Sequence, residues 1–211
     1  MTETASLQVE PAHIGSRLRA QRDRQGLSLR ELARRIGVSA SLISQIERDK
    51  VNPSVSTLYA LVRELGLTMG DLFAADGAAP ARRASIGNGP VVAADERVTI
   101  NLASGVTWER LTPASDPGIE FLHVVYDVGS ESCPADSLVT HGGKEYGHVL
   151  SGRLGVRIGF EEHVLGPGDS ICFDSSSPHR LWAIDDERAT AIWVVVGRQS
   201  DSRVPLDGER S

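Results

Sequence analysis

The stretch SLRELARRIGVSASLISQIERDKVN, residues 28–52, decides how the first third of the chain folds. Ser28 stands three residues ahead of Glu31, the S-x-x-E spacing of a capping box, in which a hydroxyl and a carboxylate satisfy the orphan backbone N–H groups of a helix start. Leu29, Leu32, Ala33 and Ile36 then recur at helical spacing and form one apolar stripe. Gly37 closes that helix, since glycine takes the left-handed conformation of a helix end at no steric cost. Ser39 suits the N-cap of a second helix, whose inward residues are Leu42 or Ile43 together with Ile46. Ser39, Ala40, Ser41, Ser44 and Gln45 are left along its outer side.

The pattern continues on both sides. Ile14 and Leu18, followed by Arg22 and Gly26, mark a helix before it. After Pro53, Ser54 restarts the period, and Val55, Leu58, Leu61, Val62 and Leu65 predict an amphipathic helix that ends at Gly66. Thr68 caps a short one containing Met69, Leu72 and Phe73. Five helices within residues 14–73 predict a compact all-α domain.

Residues 74–90, AADGAAPARRASIGNGP, carry no apolar period and read as a linker. Residues 1–13 and 199–211 read as flexible tails. Between them, residues 91–198 change texture to short β-like runs, among them VTINLA, IEFLHVVYDV, YGHVLSG, HRLWAI and AIWVVVG, separated by Gly, Pro, Asp and Ser. Short strands at close spacing predict a sandwich or barrel. The fold class expected is α+β in two domains, five helices followed by an all-β barrel.

Charge divides along the same line. Residues 14–66 hold 10 Arg and Lys against 5 Asp and Glu, whereas residues 78–211 hold 12 against 19. One module suits phosphates and the other suits solvent or a small ligand. No apolar run approaches the roughly 20 residues of a membrane span, and the start MTETASLQVEPAH lacks a signal-peptide pattern. A cytoplasmic protein with no membrane partner is expected. Cys133 and Cys172 show no metal spacing, and Cys172, in an apolar run, reads as a small core residue.

With capping, turn, spacing and charge in agreement, residues 14–73 resemble the helix-turn-helix domain of the Cro/repressor family, the xenobiotic-response-element type. That resemblance implies binding to a double-stranded DNA operator. Ser44 and Gln45 would address base edges, and Ser39, Ala40 and Ser41 would open the groove-facing helix. Ser28, Arg48, Lys50, Asn52 and Ser54 stand where the family contacts phosphates, which position the protein without specifying sequence. Arg22 and Glu47 occupy the places of a structural ion pair.

In the β region, His141-x3-Glu145-x6-Gly152 followed by Pro167-Gly168-Asp169 and Pro178-His179 resembles the two motifs of the cupin superfamily. The family's first metal His falls at Val139, and the Asn that commonly ends its second motif falls at Ala183. His141, Glu145 and His179 remain. By the resemblance they are candidate ligands for a divalent metal, Fe, Ni, Mn or Zn, or they hydrogen-bond an organic effector without metal. Arg110 is the candidate for an anionic group of that effector, since a guanidinium fork matches a carboxylate or phosphate. Trp108, Trp182, Trp193 and Tyr126 line the same mouth or serve as core. His148 and His163 read as solvent-facing or packing residues, and His123 reads as a core histidine.

The two modules together imply a homodimeric transcriptional regulator, not an enzyme, that senses a small-molecule effector through its cupin domain. The alternative is a non-haem Fe(II) cupin oxygenase or epoxidase with a repressor-like helical domain. The intact reading face and the local positive charge favour the regulator.

Overall fold

The computed structural model describes residues 13–73, 89–116 and 118–197. The expected tail at 199–211, that at 1–13 apart from His13, and the expected linker apart from its last two residues lie outside the described residues. Five helices come first: α1 (Ile14–Arg24), α2 (Leu29–Ile36), α3 (Ala40–Ile46), α4 (Val55–Glu64) and α5 (Met69–Leu72). Their apolar stripes meet in a core where Leu32, Ile43, Leu58 and Leu72 are fully buried. Of the two alternatives on α3, Ile43 points inward and Leu42 is half-buried.

Four of these helices begin on a hydroxyl. Ser28, Ser39, Ser54 and Thr68 each accept from the backbone N–H three residues on, an interaction worth about 1 kcal/mol apiece. The capping box expected at Ser28 forms only by half. Glu31 turns to Arg34 at 2.7 Å and Arg35 at 3.0 Å, because guanidinium groups at i+3 and i+4 offer charge-assisted bonds. The reciprocal box stands instead at Thr68 and Asp71. Gly37, with φ of 75°, makes the tight turn between α2 and α3.

Nine antiparallel strands follow among the described residues: β1 (Thr99–Asn101), β2 (Val106–Arg110), β3 (Ile119–Tyr126), β4 (Lys144–Ser151), β5 (Arg153–Ile158), β6 (Glu161–Leu165), β7 (Ser170–Asp174), β8 (His179–Ile184) and β9 (Ala189–Val196). They form a six-stranded sheet in the order β1-β2-β3-β9-β4-β7 and a three-stranded sheet in the order β6-β5-β8. Side chains alternate between faces along each strand. Leu122, Val124 and Tyr126 of β3 and Ala191, Trp193 and Val195 of β9 therefore face inward. Gly147 of β4 lets the Trp193 ring lie directly on the backbone, where any Cβ would collide with it. The same alternation corrects the reading of Cys172. Phe173 takes the inward phase of β7, and Cys172 is exposed on the outer face. The buried cysteine is Cys133, whose thiol burial pushes up in pKa.

The helices and the barrel share one continuous apolar core. Ala103 N–H donates to the Pro53 carbonyl at 2.8 Å across the seam. The Tyr59 ring of α4 packs on Trp108 of β2, with 5.5 Å between centroids.

Candidate functional site

On α3, Ser39 and Ser41 are exposed and Ser44 and Gln45 are half-buried, while Ala40 packs against the core. Ala40 therefore supports the helix from behind more than it meets a groove. Arg48, Lys50 and Asn52 are exposed just beyond the helix. Arg48 Nε donates to the Ser44 carbonyl at 3.0 Å, which holds its stem along α3. Ser28 and Ser54, at the starts of α2 and α4, spend their oxygens as caps.

Behind that face lies the buried pair of Arg22 and Glu47. Arg22 Nε and Nη2 reach the two carboxylate oxygens at 2.5 and 2.8 Å, a bidentate arrangement. Arg22 Nη1 also donates to the Leu27 carbonyl at 2.8 Å. The hydrogen bond to Glu47 raises the Arg22 pKa against the opposing effect of burial. This pair joins α1 to the end of α3 and so sets the angle at which α3 is presented.

The second site is assembled from more distant parts. Glu145 occupies an inward phase of β4 and His179 opens β8 on its inward phase. His141 comes from the loop before β4, held by its N–H to the Ser175 carbonyl at 3.1 Å. The Nε2 atoms of His141 and His179 lie 2.9 and 3.2 Å from the same Glu145 Oε1. Glu145 Oε2 accepts from Trp193 Nε1–H at 2.6 Å.

The histidine tautomers follow from their other nitrogens. His141 Nδ1 lies 3.0 Å from the Gly142 carbonyl and His179 Nδ1 lies 2.9 Å from the Ser177 carbonyl. A carbonyl only accepts, so each Nδ1 carries its proton and each Nε2 is turned toward the carboxylate. Two imidazole lone pairs facing one carboxylate oxygen would repel, so a positive charge, proton or cation, belongs among the three groups. The residues fit a divalent cation: the three candidate ligand atoms lie within 4.8 Å of one another. Two imidazoles and a carboxylate are a facial ligand set, and Nδ1–H bonds to carbonyls are the outer contacts that orient a ligating histidine. Val139, at the place of the missing first His, is buried and contributes an apolar wall to the cavity.

Around these groups is a cavity of about 30 Å³. Its walls include Trp108, Tyr126 and Trp193, and Leu122, Val124 and Leu181. Burial pushes the Tyr126 phenol well above its ordinary pKa, so it remains a neutral O–H. Two further lining residues, Val55 and Tyr59, come from α4 of the helical domain. Tyr59 packs on the His141 imidazole with 4.9 Å between ring centroids. Neither was singled out from the sequence as a site residue. Val55 reads as part of the apolar stripe of α4, and Tyr59, four residues on, lies on the same side of the helix beside it.

Two expected lining residues lie elsewhere. Arg110 does not line the cavity. Its guanidinium donates to the carbonyls of Thr112, Phe73 and Pro113 at 3.0, 3.1 and 3.3 Å, and burial with the nearby charge of Arg17 lowers its pKa. Its donors are committed to the end of the helical domain, so it is a joint between domains, not an anion receptor. Trp182 lies outside the cavity as well, stacked under Arg180 at 4.7 Å. Of the two alternatives for His148 and His163, both are exposed. His123 is half-buried on the outer face and bonded to Glu109 at 3.1 Å, so it is satisfied but not in the core.

Comparison with known proteins gives two family matches, helix-turn-helix over residues 18–72 and cupin domain over residues 122–195. The chain is 29% identical over 165 residues to the HTH-type transcriptional regulator PuuR of Escherichia coli (strain K12), covering 78% of this chain and 84% of that one. Among solved structures, an HTH_3 family transcriptional regulator from Vibrio cholerae superposes with a TM-score of 0.59 at 25% identity, covering 88% of this chain and 95% of that one. Hydroxypropylphosphonic acid epoxidase from S. wedmorenis aligns over 92% of this chain and 100% of that one, at 20% identity and a TM-score of 0.41, a likeness too loose to carry an argument about chemistry.

Proposed function

We propose that this chain, which joins a helix-turn-helix domain to a cupin domain, is a sequence-specific DNA-binding transcriptional regulator whose cupin site takes a small effector. The observation that carries the reading is the outer face of α3, polar from Ser41 to Gln45 and followed by exposed Arg48, Lys50 and Asn52. Gln45 and Ser44 address base edges, and the flanking residues with the capped starts of α2 and α4 meet phosphates. A sequence relative that spans most of the chain is a regulator, which supports this reading over the oxygenase. Among the described residues no helix is long and apolar enough to cross a membrane, and the cytoplasm is the compartment that fits an operator.

One recognition helix reads one half-site, so the active form is a homodimer on a near-palindromic operator. The outer face of the six-stranded sheet supports it. There Phe121, Val194, Tyr146 and Cys172 form a cross-strand row over β3, β9, β4 and β7, with Phe121 and Tyr146 exposed. Such a face suits a second copy of the chain.

At the cupin site, His141, Glu145 and His179 are the residues to hold a divalent cation, Fe, Ni, Mn or Zn. Bound there, a cation would offer open coordination positions to an anionic group of the effector.

The test is a fluorescence-anisotropy titration at fixed salt against DNA from upstream of the protein's own coding sequence, beside a random duplex of equal length. The expected preference is about 1,000-fold or more. Equal affinity for the two duplexes would contradict the reading.

A further inference from the structure

The roof of the cupin site belongs to the DNA-binding domain. Val55 and Tyr59 lie one helical turn apart on α4 and both line the cavity around His141, Glu145 and His179. With that roof in place the cavity measures about 30 Å³. A buried water needs about 10–15 Å³ by the same kind of measure, and pockets for organic ligands run to about 300–1,000 Å³. The closed site therefore has room for a single cation with a water, and an organic molecule needs the roof to lift.

We propose that α4 is the lid of the cupin site, so that occupancy of the site and seating of the DNA-binding domain are one equilibrium. A divalent cation is held with the lid closed, and a small organic effector enters only by displacing Val55 and Tyr59. The proposal rests on the regulator reading above and names how its two modules communicate.

The mechanical link is short. The neighbouring side of α4 contributes Leu58 and Leu61, and its C-cap contributes Leu65, to the core that also holds Leu32 of α2 and Ile43 and Ile46 of α3. Close-packed interiors transmit displacement instead of absorbing it. A shift of α4 away from the barrel consequently carries α3 with it. Tyr59 is the contact that reports occupancy, because its ring lies on His141, one of the three candidate ligands. Polar contacts across the seam, Pro53 to Ala103 and Phe73 to Arg110, sit at the ends of the roofing segment and suit a hinged attachment.

An effector acts on such an equilibrium only through its different affinity for the two states, and the coupling is reciprocal. The experiment uses Ni²⁺ as the probe and the full chain throughout. Its affinity is measured by calorimetry with and without a saturating operator duplex, in the wild type, Tyr59→Ala and Tyr59→Leu. Wild-type Ni²⁺ affinity is expected to change about 5–150-fold on operator binding, and Tyr59→Ala is expected to bring the ratio within about twofold of one. The ratio is internal to each variant, so altered DNA affinity does not obscure it. Tyr59→Leu keeps the apolar bulk while removing the ring from His141, and serves if the alanine variant does not fold. A wild-type ratio of one, or an unchanged ratio in a folded Tyr59 variant, overturns the lid while leaving DNA and cation binding standing. Failure of the wild type to bind either operator or Ni²⁺ overturns the functional reading and the lid with it.

Discussion

The α2–α3 unit and the cupin mouth are built on opposite plans. In the first, the functional side chains fall within the 27 residues from Ser28 to Ser54, and their placement follows from helix periodicity, a left-handed Gly37 and hydroxyl caps. In the second, Glu145, His179 and Tyr59 come from β4, β8 and α4, while His141 comes from a loop. Only His141 and Glu145 are close in sequence, four residues apart; the barrel and the seam bring the rest together. Local machinery tolerates changes elsewhere, whereas an assembled site responds to whatever moves its parts.

The largest effect that divides the two regions is expected from Glu47→Ala. It leaves the buried Arg22 guanidinium without its bidentate partner, a loss of about 3–5 kcal/mol for a broken buried pair. All three tryptophans, Trp108, Trp182 and Trp193, lie in the barrel, so fluorescence follows that region while far-UV circular dichroism at 222 nm is dominated by the helices. On heating, the helical transition should move ahead of the tryptophan transition. Equal displacement of both would show that the regions unfold as one unit and would break the comparison.

A smaller effect should sharpen it from the barrel side. Phe121→Asp with Tyr146→Asp puts charge on the outer sheet face, far in sequence from α3. The expected outcome is a monomer by light scattering and operator affinity lower by about 100-fold, the low end of what a second linked contact contributes. A dimer that persists would remove this face from the account.

Much of the fold was legible because it depends on spacing. The five helices fall where the apolar period and the caps predicted, and the β-like runs each contain a strand. Arg22 and Glu47 meet as the family resemblance implied. The misplacements share one cause: they concern which partner a side chain meets across the fold. Arg110 has the chemistry of an anion receptor, yet Phe73 from the other domain and two neighbouring carbonyls take its donors. Cys172 lies in an apolar run, but strand phase turns it outward. Glu31 had the spacing for a capping box and two arginines nearer to hand. Tyr59 carries no signal of its own as a site residue, because nothing in the sequence states that α4 has a second neighbour.

The central claim is that α3 reads sequence, and Gln45 tests it most directly. A glutamine paired to a base is worth about 1–3 kcal/mol of discrimination. Gln45→Ala should therefore lower affinity for the protein's own operator by about 5–150-fold at fixed salt, with a far smaller change on random DNA. Equal losses on both duplexes would contradict the account.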